Sequence, residues 1–249
     1  MTDITGDIER ELDRTLPTDD ALLAGLREPL DTDHWYGELS LHVHDALADA
    51  RHDGAPAAAA GVECLRAYAR LRGRVLVQLN DDVAHSFTAD PTRALLASDH
   101  LYAAAYAALG RSGGPAELFG AVTRVSQRIA AAFSARYTED SRDVPDPGSL
   151  VDDTTGALGE AAATVGAILA DATPAQRDAA SALGRGLGAL ESIRRTDDTA
   201  PGDRHVVLPD VDESRLDAYA ETRRGDVRRA LTDLAADADV SALRALVPE

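Results

Sequence analysis

The chain of 249 residues is strongly acidic: 43 Asp and Glu oppose 25 basic residues, all of them Arg, and the formal net charge is −18. This charge repels nucleic acid and anionic lipid, and no basic stripe with interleaved aromatic residues offsets it, so nucleic acid is not an expected partner. Many carboxylates, abundant Ala and no Lys are typical of a halophilic protein, because high net charge keeps protein soluble in concentrated salt.

The apolar residues are dispersed rather than gathered into long runs. No segment approaches 18 uninterrupted apolar residues, and residues 1–16 lack an apolar core of signal-peptide length. The sequence therefore predicts a cytoplasmic protein without a membrane span. Cys64 is the single cysteine, which excludes an internal disulfide and predicts a small buried apolar side chain.

The turn signals and apolar periodicity predict an all-α fold. Asp90-Pro91, Gly114-Pro115 and Thr173-Pro174 each place a capping-type residue before proline at a first helical position. Apolar residues spaced three and four apart predict helices at 5–16, 19–28, 34–51, 57–79, 91–110, 115–137, 149–171, 174–194, 213–236 and 240–246. Only residues 206–208 are strand-like, so we expect one single-domain bundle of about ten helices over residues 1–249.

Four Asp-Asp pairs are the first candidates for a metal site. None of them continues as D-D-x-x-D, the spacing that would place acids one helical turn apart on the same face. We interpret Asp19-Asp20 and Asp152-Asp153 as caps at helix starts, where the helix dipole favours carboxylates. Asp81-Asp82 and Asp197-Asp198 follow long helices, and there a solvated position is the simplest interpretation.

A stripe of arginines is the other candidate site. Arg66, Arg70 and Arg74 lie at i, i+4 and i+8, so one helix face carries three guanidinium groups. Such a stripe is most often a solvated face that pairs with acids on a neighbouring helix, and the alternative is an anion-binding site. Glycines at 184, 186 and 188 predict a thin helix face that packs closely against another helix.

Four segments together resemble the trans-polyprenyl diphosphate synthases of the isoprenoid synthase fold. The similarity covers residues 57–198 and rests on AAAAGVECLRAYARL (57–71), TRALLASDHLYAAAYAAL (92–109), LVDDTTGALGEAAATVGAILA (150–170) and ALGRGLGALESIRRTDD (182–198). The resemblance implies an isoprenoid synthase-like bundle in which two aspartate-rich motifs face each other across a cavity mouth. In that family Mg²⁺ held by these motifs neutralises the diphosphate leaving group.

Both aspartate motifs of the resembling family are replaced in this chain. In register with the family, the first metal aspartates fall on Gly73 and Arg74, and the second pair falls on Arg195 and Thr196. Thr154 stands where the family has Lys. The resemblance therefore implies that the scaffold is kept while the carboxylates that hold Mg²⁺ are not.

Three functions stay open at this point. The first is a non-catalytic polyprenyl synthetase-like protein, without catalytic residues or a cofactor, that forms a homodimer or a heterodimer with an active prenyl synthase. The second is an active prenyltransferase with displaced motifs, in which Mg²⁺ would be held by Asp81, Asp82, Asp197 and Asp198. The third is a metal-free protein that binds an isoprenoid diphosphate through Arg70, Arg74, Arg194 and Arg195.

Overall fold

The computed structural model describes residues 3–16, 34–80, 90–138, 146–198 and 213–248. Only the backbone is described for Asn80 and for residues 196–198 and 213–215. The described helices are α1 (Ile4–Thr15), α2 (Trp35–Leu47), α3 (Ala55–Asn80), α4 (Pro91–Arg111), α5 (Glu117–Tyr137), α6 (Pro147–Val151), α7 (Ala157–Leu169), α8 (Pro174–Asp198), α9 (Glu213–Leu234) and α10 (Ser241–Arg244). The predicted all-α class is confirmed. The predicted helix at 19–28 and the strand-like residues 206–208 lie outside the described residues.

Two of the three predicted Xaa-Pro helix starts show the predicted capping chemistry. The third is wrong, because α5 begins at Glu117 rather than at Pro115, and its N-cap residue Ala116 makes no side-chain capping hydrogen bond. The Asp90 carboxylate accepts a hydrogen bond from the backbone N–H of Arg93 at 3.0 Å, directly before α4. At the start of α8, Thr173 Oγ1 accepts from the backbone N–H of Gln176 at 3.3 Å, and Gln176 Oε1 accepts from the backbone N–H of Thr173 at 2.9 Å. This reciprocal pair is a capping box, which satisfies two backbone donors that the helix itself cannot.

Helix α7 lies at the centre of the molecule. Its sequence, ALGEAAATVGAIL, has one charged residue, Glu160, and is apolar on nearly every side, which is the pattern of a helix buried all round. It packs against α2, α3, α5 and α8. Its small side chains allow these neighbours to approach closely, and so the site described below is built around α7.

The glycines of α8 are packing residues, as predicted. A Cβ on Gly184 would lie 2.2 Å from the carbonyl oxygen of Gly159, and a Cβ on Gly188 would lie 2.4 Å from the carbonyl oxygen of Thr155. On the other side of α8, a Cβ on Gly186 would lie 2.5 Å from Cγ2 of Val227 in α9. The three glycines therefore let α8 lie close to both of its neighbours.

A π-helical turn, Asp152–Gly156, joins α6 to α7 and corrects the predicted cap at Asp152-Asp153. The helix starts earlier, after Asp146, whose carboxylate accepts from the backbone N–H of Gly148 at 3.1 Å. Asp152 instead accepts hydrogen bonds from the Tyr219 hydroxyl and from Arg223 of α9. Asp152 therefore ties the π-helical turn to α9, 67 and 71 residues further along the chain.

Two helices end four residues away from the predicted position, and the other predicted helices that the structure describes end within two residues of it. α2 ends at Leu47 rather than at residue 51, because Ala48 is extended and the chain turns back so that the backbone N–H of His52 donates to Nε2 of buried His44. α8 continues to Asp198 rather than ending at residue 194. None of the helices in the described part of the chain is both long and apolar enough to cross a membrane.

Candidate functional site

The polar side chains of α3 and α8 meet at the first turn of α2, around the hydroxyl of Tyr36. Burial raises the pKa of Tyr36 above its ordinary value, because the phenolate would lose its hydration. The charges that act on this pKa come from both helices: Arg195 and Arg66 lower it, and Glu191 and Glu63 raise it. The two chain segments that resemble the family's aspartate motifs therefore lie on either side of one buried tyrosine.

The arginine stripe of α3 is buried, so its interpretation as a solvated face is wrong. Arg66 is 3% exposed, and Arg70 and Arg74 are each 8% exposed. Arg66 Nε donates to Glu63 Oε2 at 2.5 Å, and Glu63 Oε1 accepts from the backbone N–H of Gly37 in α2 at 2.7 Å. The fully buried Glu63 thus compensates part of the charge of Arg66 and joins α3 to the start of α2.

The end of α8 holds a second cluster of charges around Glu191. This carboxylate accepts from Arg194 at 2.9 Å and 2.8 Å and from Arg195 Nε at 2.6 Å. Glu191 is nearly buried, whereas the Arg194 side chain is 47% exposed. The carboxylate neutralises charge at the position where the third hypothesis places two phosphate-binding arginines.

A small cavity adjoins Tyr36 and Arg66. Its walls are formed by α2, α3, α5, the π-helical turn and α7, through Tyr36, Arg66, Ala69, Arg70, Phe133, Thr154, Thr155 and Leu158. Its volume is about 10 Å³, which is the room that one water-sized species needs. A diphosphate or an isoprenoid chain does not fit in such a volume.

The π-helical turn sets the polarity of one wall of this cavity. Thr154 Oγ1 donates to the carbonyl of Leu150 at 2.6 Å, and Thr155 Oγ1 donates to the carbonyl of Val151 at 3.2 Å. The extra residue of a π-helical turn shifts the side chains that follow it, and here two consecutive threonines line the same cavity. The aliphatic and hydroxyl groups of Thr154 fill a position that is Lys in the resembling family.

The register predicted from the resemblance places Gly73, Arg74, Arg195 and Thr196 at the metal positions, and none of these residues carries a carboxylate. Within the described ranges, no three His, Cys, Asp or Glu side chains are grouped in a way that could hold a metal ion. Asp81 and Asp82 lie outside the described residues, and of Asp197 and Asp198 only the backbone is described, at the last turn of α8. The convergence of these four carboxylates on Mg²⁺ stays a prediction.

A second, open groove of about 670 Å³ lies between the first half of α8 and α9. It is lined by alanines and by both acidic and basic side chains, among them Asp178, Arg185 and Asp233. The groove is larger than the cavity at Tyr36, but its lining does not include Gly73, Arg74 or Arg195, which stand in the predicted register of the family's metal aspartates. We therefore place the candidate site at Tyr36 and not in this groove.

Tyr36 and Phe133 belong to the candidate site but are not predicted from the sequence. Tyr36 is 27 residues before Glu63 and 155 before Glu191, and no local pattern distinguishes it from other buried aromatic residues. Glu63 was the available signal, because a fully buried carboxylate needs a partner and the nearest basic residue on its helix face is Arg66.

Comparison with known proteins supports the fold and not a shared sequence family. No protein-family model matches the chain, and no curated protein matches it significantly in sequence. Solved structures do match over most of their length. An isoprenoid synthase family member from Thermotoga neapolitana is 14% identical with a TM-score of 0.72, covering 95% of this chain and 94% of that one.

Two further structures show the same likeness. A geranyltranstransferase from Methanosarcina mazei is 15% identical with a TM-score of 0.70, covering 93% of this chain and 90% of that chain. The small subunit of geranyl diphosphate synthase from Antirrhinum majus is 15% identical with a TM-score of 0.65, and the match covers 92% of this chain and 90% of that chain. The chain therefore has the isoprenoid synthase fold, as the sequence resemblance implied.

Proposed function

We propose that this chain is a non-catalytic protein of the isoprenoid synthase fold, which acts as a partner or regulatory subunit of a prenyl synthase in isoprenoid biosynthesis. The supporting observation is the charge at the positions of the two aspartate motifs. In the register of the resemblance Arg74 and Arg195 fall on metal positions. Arg195 donates to Glu191, and Arg66 forms a buried pair with Glu63.

The chemistry of the resembling enzymes explains why these charges matter. Ionisation of an allylic diphosphate develops negative charge on the leaving group, and Mg²⁺ held by carboxylates stabilises that charge. Arginine cannot hold Mg²⁺, since a guanidinium has donors only.

An assay with the purified protein tests the non-catalytic half of the proposal. The protein is incubated with isopentenyl diphosphate, an allylic diphosphate and Mg²⁺ in molar NaCl, with a known salt-tolerant prenyl synthase as the positive control. We expect no elongated product. Robust elongation by this chain alone would contradict the proposal.

The partner half of the proposal is supported by one of the structural neighbours, which is itself a small subunit. A pull-down from native lysate, with identification of the captured proteins, is expected to recover a prenyl synthase. The recovered enzyme is then assayed with and without this chain, and a change in rate or product length is expected. Recovery without any prenyl synthase would contradict this half alone.

An active enzyme with displaced motifs is the alternative. If elongation is observed, the double variant Asp81→Asn/Asp82→Asn and the double variant Asp197→Asn/Asp198→Asn should each abolish it. The matched control is Asp178→Asn/Asp233→Asn, which removes the same number of charges from the exposed groove between α8 and α9. Elongation lost only in the first two variants would establish the alternative.

A metal-free diphosphate site at Arg70, Arg74, Arg194 and Arg195 is the third proposal. Arg194 and Arg195 already donate to Glu191, so a phosphate would compete with a carboxylate for the same N–H groups. Calorimetry with a prenyl diphosphate in EDTA tests it. Binding that is unchanged by Arg195→Ala would exclude this site.

A further inference from the structure

We propose that the cavity next to Arg66 binds a small monovalent anion of about the size of chloride. This site is separate from the metal positions discussed above and does not depend on the proposed function. It is defined by Arg66, Tyr36, Thr154 and Thr155, which line the cavity from three directions.

The first argument is the state of the Arg66 guanidinium. The side chain is 97% buried, and its Nε is the only one of its three nitrogens with a hydrogen-bond acceptor among the described residues, the Glu63 carboxylate. Both Nη1 and Nη2 are buried without a protein acceptor. Four N–H groups of a charged side chain that lines the cavity thus have no acceptor among the described residues, which is costly in a dry interior.

The second argument is the charge of the cavity wall. Among the described residues, the lining includes the guanidinium groups of Arg66 and Arg70 and no carboxylate. Glu63 lies behind Arg66, where its two oxygens are occupied by Arg66 Nε and the N–H of Gly37. A cationic wall in a low-dielectric interior stabilises an anion much more strongly than it stabilises a neutral water molecule.

The third argument is size and donor geometry. A volume of about 10 Å³ admits one water-sized species and excludes phosphate or carboxylate ligands. Tyr36 also lines the cavity, and its hydroxyl has no hydrogen-bond partner among the described residues, so the proposal assigns it as a further donor to the anion. A monatomic anion accepts from several donors without directional demands of its own, which matches this set.

Crystals grown in NaBr test the proposal on the unmodified protein. We expect an anomalous bromide peak within hydrogen-bonding distance of Nη1 and Nη2 of Arg66. A cavity that holds only a water molecule, or no ordered species, would overturn the proposal.

Thermal unfolding gives the test in solution. At constant Na⁺ concentration, replacement of gluconate by chloride is expected to raise the melting temperature in a saturable way, since binding to the folded state alone stabilises it. Equal melting temperatures in the two salts would contradict the proposal, because gluconate is too large for the cavity.

The matched variant removes both members of the buried pair, Arg66→Met with Glu63→Gln, because removal of Arg66 alone would leave Glu63 buried and unpaired. This variant should lose the chloride-specific rise. The control Arg72→Met removes a surface arginine that pairs with Asp99 on α4 and should keep it. If the double variant does not fold, Tyr36→Phe serves in its place and should weaken chloride binding several-fold. A chloride response that persists unchanged in the double variant would assign the anion to another site.

Discussion

The contact between α7 and α8 depends on the absence of a side chain at Gly184, which a single substitution can test. In Gly184→Ala the new Cβ would lie 2.2 Å from the carbonyl oxygen of Gly159 and 2.6 Å from Cβ of Ala163. Ordinary van der Waals contact begins at 3.4 Å. The two helices would therefore have to separate by about 1 Å, and the obstacle is backbone, which cannot rotate away.

The size of the effect follows from two opposing terms. Insertion of a methyl group into a well-packed core costs typically 1–3 kcal/mol, and the rigid backbone obstacle places Gly184→Ala near 3 kcal/mol. Ala is favoured over Gly inside a helix by about 1 kcal/mol, which offsets part of this cost. We expect a net loss of about 2 kcal/mol, or roughly 4–8 °C in melting temperature for a chain of this length.

Gly225→Ala is the matched control, since Gly225 lies in α9 and a Cβ there would meet nothing within 4 Å. It keeps the helix-propensity term and removes the clash, so it should raise the melting temperature by about 2–4 °C. Both variants are measured by thermal unfolding monitored by circular dichroism at 222 nm. A Gly184→Ala protein that melts at or above the temperature of the wild type would refute the close contact of α7 and α8.

Three further predictions concern buried charges and titrating groups. Asp152→Asn removes the charge of the carboxylate that pairs with Arg223 and connects the π-helical turn to α9. Urea unfolding should show that the free energy of unfolding falls by about 1–2 kcal/mol. An unchanged urea midpoint would contradict this connection. Glu191→Gln removes the negative charge that pairs with Arg195. In calorimetry with EDTA, the variant should therefore bind inorganic pyrophosphate more tightly than the wild type does. Equal affinity of the two proteins would contradict the neutralising role of Glu191. Burial raises the pKa of Cys64 from 9.0 to about 12, so the folded state retains a proton that the unfolded state loses. Stability is complete below about pH 9 and falls as pH rises from there towards 12, by up to about 1.4 kcal/mol per pH unit for this one proton. In Cys64→Ala this part of the slope should be absent, and an identical slope in both proteins would refute the assignment.

The all-α class and the starts of α4 and α8 could be predicted because the signals are local. Asp90 and Thr173 accept hydrogen bonds from residues three positions later, so the sequence around each contains the whole interaction. The burial of α7 is likewise visible in its own composition, and the glycines at 184 and 188 mark the face on which α8 approaches it.

The site could not be predicted in the same way, because its interactions connect distant segments. Glu63, the partner of buried Arg66 in the arginine stripe of α3, accepts from the N–H of Gly37, which lies 26 residues earlier in the chain. The predicted cap at Asp152 failed for the same reason, since its partners Tyr219 and Arg223 are far along the chain. Spacing on one helix shows which residues share a face and leaves open what that face packs against.

Helix α8 shows how the fold and the chemistry of this chain can be separated. Gly184 and Gly188 contact the backbone of α7 and admit no side chain, so these positions are fixed by packing. Within two turns after Gly188, Glu191 and Arg195 form an ion pair, and the charges of both act on Tyr36. Structural similarity at 14–15% identity is carried by positions of the first kind. The reaction depends on positions of the second kind, and for this reason the fold alone does not decide between an enzyme and a partner of one.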